Sequence, residues 1–514
     1  MPDAVVIGAG PNGLVGANLL ADAGWDVLVL EAADAPGGAV RTVEVTAPGF
    51  RNDLFSAFYP LAAVSPALAR LDLESCGLRW VHAPLVVANP TPDGPTAVLS
   101  RDIDTTAESL DAFAPGDGAA WRALYERTWP PLEALLHAML EPLGSPRATG
   151  RLARQVKVSG AMPFARLAVA TVRHLAEEEF QGEGARLLLG ASALHTDLSP
   201  EGAGSALFGL IMAVIGQRHG FPVPEGGAQA YPDALVRRLE ARGGRVECGQ
   251  RVVRVIVRDG RAVAVRTEGG DEIAAARSVL ADCDAAALYA DLVGEEHLPA
   301  RVVEGLRRFH RGPATVKIDW ALSGPIPWTD PAVGRAGTIH LADSLDELTR
   351  FAADLATGTV PELPFLIMGQ MTVSDPTRSP PGTESAWAYT HVPQDAKWGP
   401  PETEAVVRRV EERIERYAPG FGDRIVARHV LVPPMFEELN PSLIGGDIGT
   451  SHLHQQLIFR PYAGALGPRT PIKGLYLASA SAHPGPGGHG ACGANAARAA
   501  LGADRRRRIL HPFG

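Results

Sequence analysis

Residues 5–14 read VVIGAGPNGL, an apolar run that breaks at Gly8, passes Gly10 and Gly13, and continues into a segment of helical character. Glycines at this spacing turn a strand into a helix around a phosphate. Gly8 permits the tight turn, Gly10 lets the backbone approach a pyrophosphate, and Gly13 lets the helix pack closely on the strand. Binding would then be done by N–H groups at a helix N-terminus rather than by side chains. NAD, NADP and FAD all satisfy such a loop, so the flanking sequence has to choose among them.

Downstream, LVGANLLADAGWD reads as a helix stopped at Gly24, and VLVLE reads as a second strand ending at Glu31. A carboxylate roughly 20 residues past the glycines accepts hydrogen bonds from an adenosine ribose and repels a 2′-phosphate, which disfavours NADP. Next comes EAADAPGGAVRT, residues 31–42, with the pair Gly37 and Gly38 followed by Arg41. Adjacent glycines let backbone lie against a second stretch of phosphate or ribityl chain, and the arginine supplies a fixed positive charge. A plain turn is the alternative reading of that doublet.

These two motifs, taken with GLYLASASAHPGPGGHGACGANAARAAL at 474–501, resemble the flavin-binding framework of the phytoene desaturase family. The nearest likeness is to its phytoene dehydrogenase-like FAD oxidoreductases, within the superfamily that includes amine oxidases. The resemblance implies an α/β fold with FAD as cofactor: a discontinuous Rossmann-like FAD-binding domain and an interleaved α+β substrate domain. The expected ranges are 1–90, 222–300 and 455–514 for the first and 91–221 and 301–454 for the second. It also implies that PIKGLYLA supplies the last strand. The loop from His483 to Gly493 then opens a helix whose N–H groups face the flavin edge that gains negative charge on reduction. That dipole is worth roughly 0.3 to 2 kcal/mol. Gly487, Gly488 and Gly490 would be close-approach positions beside the flavin. Gly485, Gly487 and Gly490 also satisfy GxGxxG, but no strand with an acidic residue follows in the sequence, so we expect no second dinucleotide site there.

One departure from the family pattern stands out. Relatives carry Gly-Asp after the last strand, the aspartate bonding the ribityl chain, where this sequence has Ser479 and Ala480, so Ser479 or Ser481 would have to substitute. By position, Val252 or Val253 would carry the backbone clamp on the adenine, and Val253 is the choice. It opens alternating strands that pair across Asp259 and Gly260, a hairpin signal.

At 514 residues, 46% hydrophobic and 21% charged, the chain has the composition of an ordinary globular protein with two or three cores. A net charge of -10 argues against nucleic acid as a partner. Arg505–Arg508 form the one basic cluster, read either as a solvated tail after a helix or as a contact for an anionic membrane surface. Cys76, Cys248, Cys283 and Cys492 are far apart with no CxxC, which suits a reducing cytoplasm, and the N-terminus lacks signal-peptide features. ALFGLIMAVI at 206–215 is too short to cross a bilayer and reads as a buried helix, or as one wall of a greasy substrate cavity. Oligomeric state is open.

The reaction implied by the resemblance removes two hydrogens from a hydrophobic, polyene or acyl-type small molecule, with hydride going to flavin N5 and a proton leaving the neighbouring atom. His483 and His489 are the candidate polar groups near the ring. Tyr59 and Phe55 are candidate cavity-lining residues, with ordinary core aromatics as the plain alternative. His452 and His454 share a strand face, but without carboxylate or thiolate partners at ligand spacing they indicate no metal. Amine oxidation on the same fold is the second reading, for which Lys317 and Lys473 are the lysines to examine. A flavin-binding protein with little turnover is the third.

Overall fold

The computed structural model describes residues 1–92, 94–142, 144–156, 160–449 and 467–510. His452 and His454 lie outside the described residues. The opening motif folds into strand β1 (Ala4–Ile7), helix α1 (Pro11–Asp22) and strand β2 (Val27–Leu30). Pro11 starts α1 because its missing N–H is one of the donors a helix leaves unpaired there anyway. Gly24, at φ +79°, stops the segment before β2.

The three-segment origin of the nucleotide sheet is visible in its strand order: Leu475–Leu477, Ser278–Ala281, β1, β2, Arg245–Glu247. Every neighbouring pair is parallel, and the four residues of β1 are buried on both faces, Ala4 and Val6 against helices and Val5 and Ile7 toward strands Val252–Arg258 and Arg261–Thr267. Strands buried on both faces read as continuous apolar runs, which is why VVI and VLVL show no alternation. The C-terminal helix Ala491–Leu510 lies directly against α1. A three-stranded meander, Val252–Arg258, Arg261–Thr267 and Glu272–Ala274, turns at Asp259–Gly260, both of which adopt positive φ.

The second layer system is a seven-stranded sheet in the order Ile425–Leu431, Ala314–Leu322, Glu384–Val392, Leu366–Gln370, Ala336–Leu341, Leu85–Asn89, Ala97–Leu99. Leu85–Asn89 belongs to this sheet, pairing in parallel with Ala336–Leu341, although it falls inside the 1–90 range expected for the nucleotide domain. Helices Glu183–Leu194 and Ser205–His219, both largely buried, pack on one side of the sheet, and helix Pro400–Tyr417 packs on the other.

Between the strand Ala97–Leu99 and the buried helix Glu183–Leu194 lie three shorter helices, Pro146–Val156, Ala161–Val169 and Val172–Glu179. The last break is set by Thr171, whose hydroxyl caps the new helix through the N–H of His174. FLIMGQMTV is a strand only to Gln370, and Met371–Ser374 then form a helical turn. Among the described residues no helix is long and apolar enough to cross a membrane.

Candidate functional site

One cavity of about 850 Å³ runs from the glycine loop at the end of β1 to the seven-stranded sheet. At the nucleotide end it is bounded by Gly8, Gly10, Asn12, Glu31 and Gly38. Gly38 lies so close to Gly10 that a side chain on it would stand 3.2 Å from the Gly10 Cα. Gly13 does not line the cavity; an added Cβ there would sit 2.4 Å from the Gly8 carbonyl oxygen, so its role is close packing within the loop. Gly37 holds the turn below, donating its N–H to the Ala9 carbonyl at 2.9 Å.

Glu31 accepts from the N–H of Ala9 at 2.7 Å and from that of Ala33 at 2.9 Å, which clips the glycine loop to the end of β2. Arg41 points elsewhere and pairs with the exposed Asp34 at 3.2 Å, outside the cavity lining. Val252 and Val253 both line the cavity, and the strand register slips between Val252 and Arg254. Such a bulge leaves the extra residue, Val253, outside the hydrogen-bonded ladder.

At the opposite edge Ser479, Ala480, Ser481, Gly487, Gly488 and His489 line the cavity. His489 Nδ1 accepts from the N–H of Ala491 at 3.0 Å and so caps the C-terminal helix. His483 is buried before cis Pro484, and it is Pro484 rather than His483 that lines the cavity. Gly490 also departs from its expected place: an added Cβ would strike Val15 Cγ2 at 2.6 Å, so this glycine serves contact with α1. Tyr59 lies under the loop, its ring packed on Trp80 and Tyr231 at 5.7 and 5.8 Å and its hydroxyl donating to the Ser56 carbonyl. Tyr59 is thus a core aromatic outside the cavity, whereas Phe55 does line it. Lys473 is exposed, but Lys317 is buried and lines the cavity.

Sequence reading missed the carboxylates that flank the cofactor end. Asp282 lies one residue beyond the strand Ser278–Ala281, and its Oδ2 accepts from the N–H of Gly13 at 2.7 Å. Burial raises its carboxyl to about 7, with Glu31 adding to the shift and the Gly13 hydrogen bond opposing it. Asp284 lines the cavity beside Ser481, which donates to it at 3.3 Å, while Arg311 grips its two oxygens at 2.9 Å each. A sequence signal existed in the acid-rich ADCDA after an apolar strand, but only pairing with β1 aims these side chains at the loop.

The substrate end has an apolar wall and a polar floor. Phe208, Ile211, Met212 and Ile215 form the wall from helix Ser205–His219, the segment read either as a buried helix or as one wall of a greasy cavity. Thr315, Lys317, Thr338, Trp387 and Tyr389 rise from the sheet. Lys317 Nζ donates to Asp319 at 2.5 Å and to the Asp53 carbonyl at 3.0 Å. Asp197 follows helix Glu183–Leu194 at φ +62°, a conformation uncommon for a residue with a side chain. Its carboxylate pairs with His391 at 3.0 Å. Burial opposes charge on that imidazole, but Asp197 and the Ala314 carbonyl outweigh it and the net shift is upward. His195 Nδ1 lies 3.0 Å from His340 Nε2, and burial lowers His195 to about 4 and holds His340 well below the usual imidazole range, so both rings are neutral near pH 7.

The model of the flavin containing amine oxidoreductase family matches residues 12–500, and the chain belongs to that family. It is 28% identical to a mouse (Mus musculus) pyridine nucleotide-disulfide oxidoreductase domain-containing protein 2, covering 96% of this chain and 92% of that one. It is 26% identical to the neurosporene-forming phytoene desaturase of Cereibacter sphaeroides, covering 99% and 96%. Among solved structures, cyclohexylamine oxidase from Brevibacterium oxydans has the same fold, with a TM-score of 0.57 at 18% identity over 98% of this chain and 99% of that one.

FAD is therefore the cofactor, and the residues present fit it. Gly10 and Gly38 leave a cradle that side chains would fill, the α1 N-terminus faces it, and the buried Asn12 Oδ1 has no hydrogen-bond partner among the described residues. Glu31→Ala should weaken FAD binding by about 1.5 to 3 kcal/mol through lost charge-assisted hydrogen bonds, read as a right-shifted fluorescence titration of the apoprotein. Affinity equal to wild type would remove Glu31 from that role.

Asp282 makes a second prediction. Because its folded-state pKa is raised, the folded chain holds a proton that the unfolded chain has released, and stability falls as pH rises from the ordinary carboxylate range through about 7. Asp282→Asn keeps an acceptor for Gly13 and cannot ionise. It should gain on wild type across that window by up to about 4 kcal/mol, seen as a pH-dependent difference in melting temperature. A constant difference from pH 4 to 8 would exclude this.

Proposed function

We propose that the protein is an FAD-dependent desaturase or dehydrogenase that removes two hydrogens from adjacent atoms of a predominantly apolar small molecule. The observation that carries this reading is the continuity of one cavity from the nucleotide cradle to the apolar wall of helix Ser205–His219. FAD, when bound, supplies the acceptor for the hydride. The chain's contribution is to place a C–H bond against that acceptor and keep water out, which the Phe208 to Ile215 face does by burial. The second hydrogen leaves as a proton. Asp197, at the cavity wall and held by His391, is the carboxylate offered to receive it. The likeness to a phytoene desaturase supports the same class of chemistry.

Lys317 favours amine oxidation as a second reading, since it is a buried lysine lining the cavity on a fold shared with an amine oxidase. Anaerobic mixing of the FAD-loaded protein with polyenes, acyl compounds and amines separates the two. Flavin bleaching by polyenes or acyl compounds is expected. Bleaching by amines alone would replace the desaturase reading, and no bleaching by any class would favour a flavin-binding role with little turnover.

A further inference from the structure

Thr338 stands on strand Ala336–Leu341 and lines the cavity, yet its hydroxyl is 1% exposed as a residue and has no hydrogen-bond partner among the described residues. A buried hydroxyl without a partner is costly, and native interiors keep few of them. The strand's alternation puts Thr338 on the same face as His340, whose ring meets His195, itself at the cavity wall. One end of the cavity therefore presents the Thr338 hydroxyl and the neutral imidazole of His195, with His340 behind it. Three strand spacings separate this strand from the one that carries Lys317, about 14 Å, and the Trp387 indole lies on Gly369 between them.

We propose that this end is a subsite for an uncharged oxygen function, an alcohol or a carbonyl, on the remote end of an elongated and otherwise apolar substrate. The proposal rests on the apolar-substrate reading above and narrows it. A purely hydrocarbon substrate would leave Thr338 unpaired in the complex as well. A carboxylate or an ammonium would lose its hydration without meeting an opposite charge, because the imidazole that lines this end, His195, is neutral. Lys317 and Asp197 cannot supply that charge, since each is already matched by Asp319 or His391.

The test is calorimetric titration of the FAD-loaded protein with molecules of one chain length: 1-dodecanol, 2-dodecanone, 1-dodecene, dodecanoate and dodecylamine. The alcohol or the ketone should bind about tenfold more tightly than the alkene, and whichever is tighter identifies the oxygen type. T338V should abolish that advantage while leaving alkene affinity and FAD content unchanged. It should melt no lower than wild type, because it deletes an unpaired hydroxyl, and T338S should restore the preference. Equal affinity for alcohol, ketone and alkene, tightest binding of a charged member, or an advantage that survives in T338V would each overturn the subsite alone. Failure of every member to bind would overturn the apolar-substrate reading and the subsite with it.

Discussion

Gly493→Ala should cost more than about 4 kcal/mol of stability and release FAD, because its methyl has no room. An added Cβ at Gly493 falls 1.7 Å from the Asn12 carbonyl oxygen and 3.1 Å from the Gly16 nitrogen. Gly16, in turn, would place its own Cβ 3.1 Å from the Gly493 carbonyl. Helix Ala491–Leu510 thus crosses α1 backbone to backbone, and relief requires the two helices to separate. Each is tied to the nucleotide sheet, so separation strains the core, as overpacking does elsewhere. It also tilts the α1 N-terminus, which carries the pyrophosphate cradle, so FAD retention should fall further than the melting temperature alone suggests. Gly502 on the same helix is the control, since among the described residues nothing beyond its own helical turn lies within 4 Å of an added Cβ there. Gly502→Ala should be stabilising by up to about 1 kcal/mol through helix propensity. Equal melting temperatures for the two variants would refute the close-crossing account.

Arg378→Met is expected to cost about 3 to 5 kcal/mol. Arg378 and Asp53 are both 0% exposed and their charged groups meet at 2.6 Å. Asp53 also accepts from the Thr42 hydroxyl at 2.7 Å and the Ala228 N–H at 2.9 Å, while its carbonyl receives Lys317. The pair therefore clamps the short hairpin after the glycine doublet to the turn Pro376–Arg378 and to the cavity floor. Removing the guanidinium leaves a carboxylate in the interior, and its desolvation is what makes the loss large. Added salt should rescue little, since buried charges are weakly screened. Adding Asp53→Asn to the arginine variant should recover part of the loss. Full additivity of the two substitutions, measured by denaturant titration, would show that the pair is not coupled.

Both sites show why legibility divides where it does. The order β1, α1, β2 could be read because a strand, its glycines and its helix are neighbours in the chain, and the positive φ of Gly8 and Gly24 marks their junctions. Glu31 was legible for the same reason, being at a set distance along one βαβ unit. Gly490 was legible only as a close-approach position beside the flavin, and Gly493 only as the end of a glycine-rich loop. That they approach α1 depends on a helix nearly 480 residues away in sequence. Helix Asp117–Leu140 carries Pro130 and Pro131 within it, against local propensity, where its apolar face is taken up by the helical core.

The amino-acid sequence by itself determined the cofactor-binding half: glycine spacing, the acidic end of β2 and a C-terminal glycine-rich segment state local backbone requirements that chain order alone can satisfy. Tertiary structure alone decided which polar residues face the cavity. Alternation along Ala314–Leu322, Ala336–Leu341 and Glu384–Val392 says that Lys317, Thr338 and Trp387 each share a face with residues two away. Which of the two faces meets the apolar helices is settled by the packing of distant segments, and with it whether a buried lysine or threonine belongs to the core or to the site.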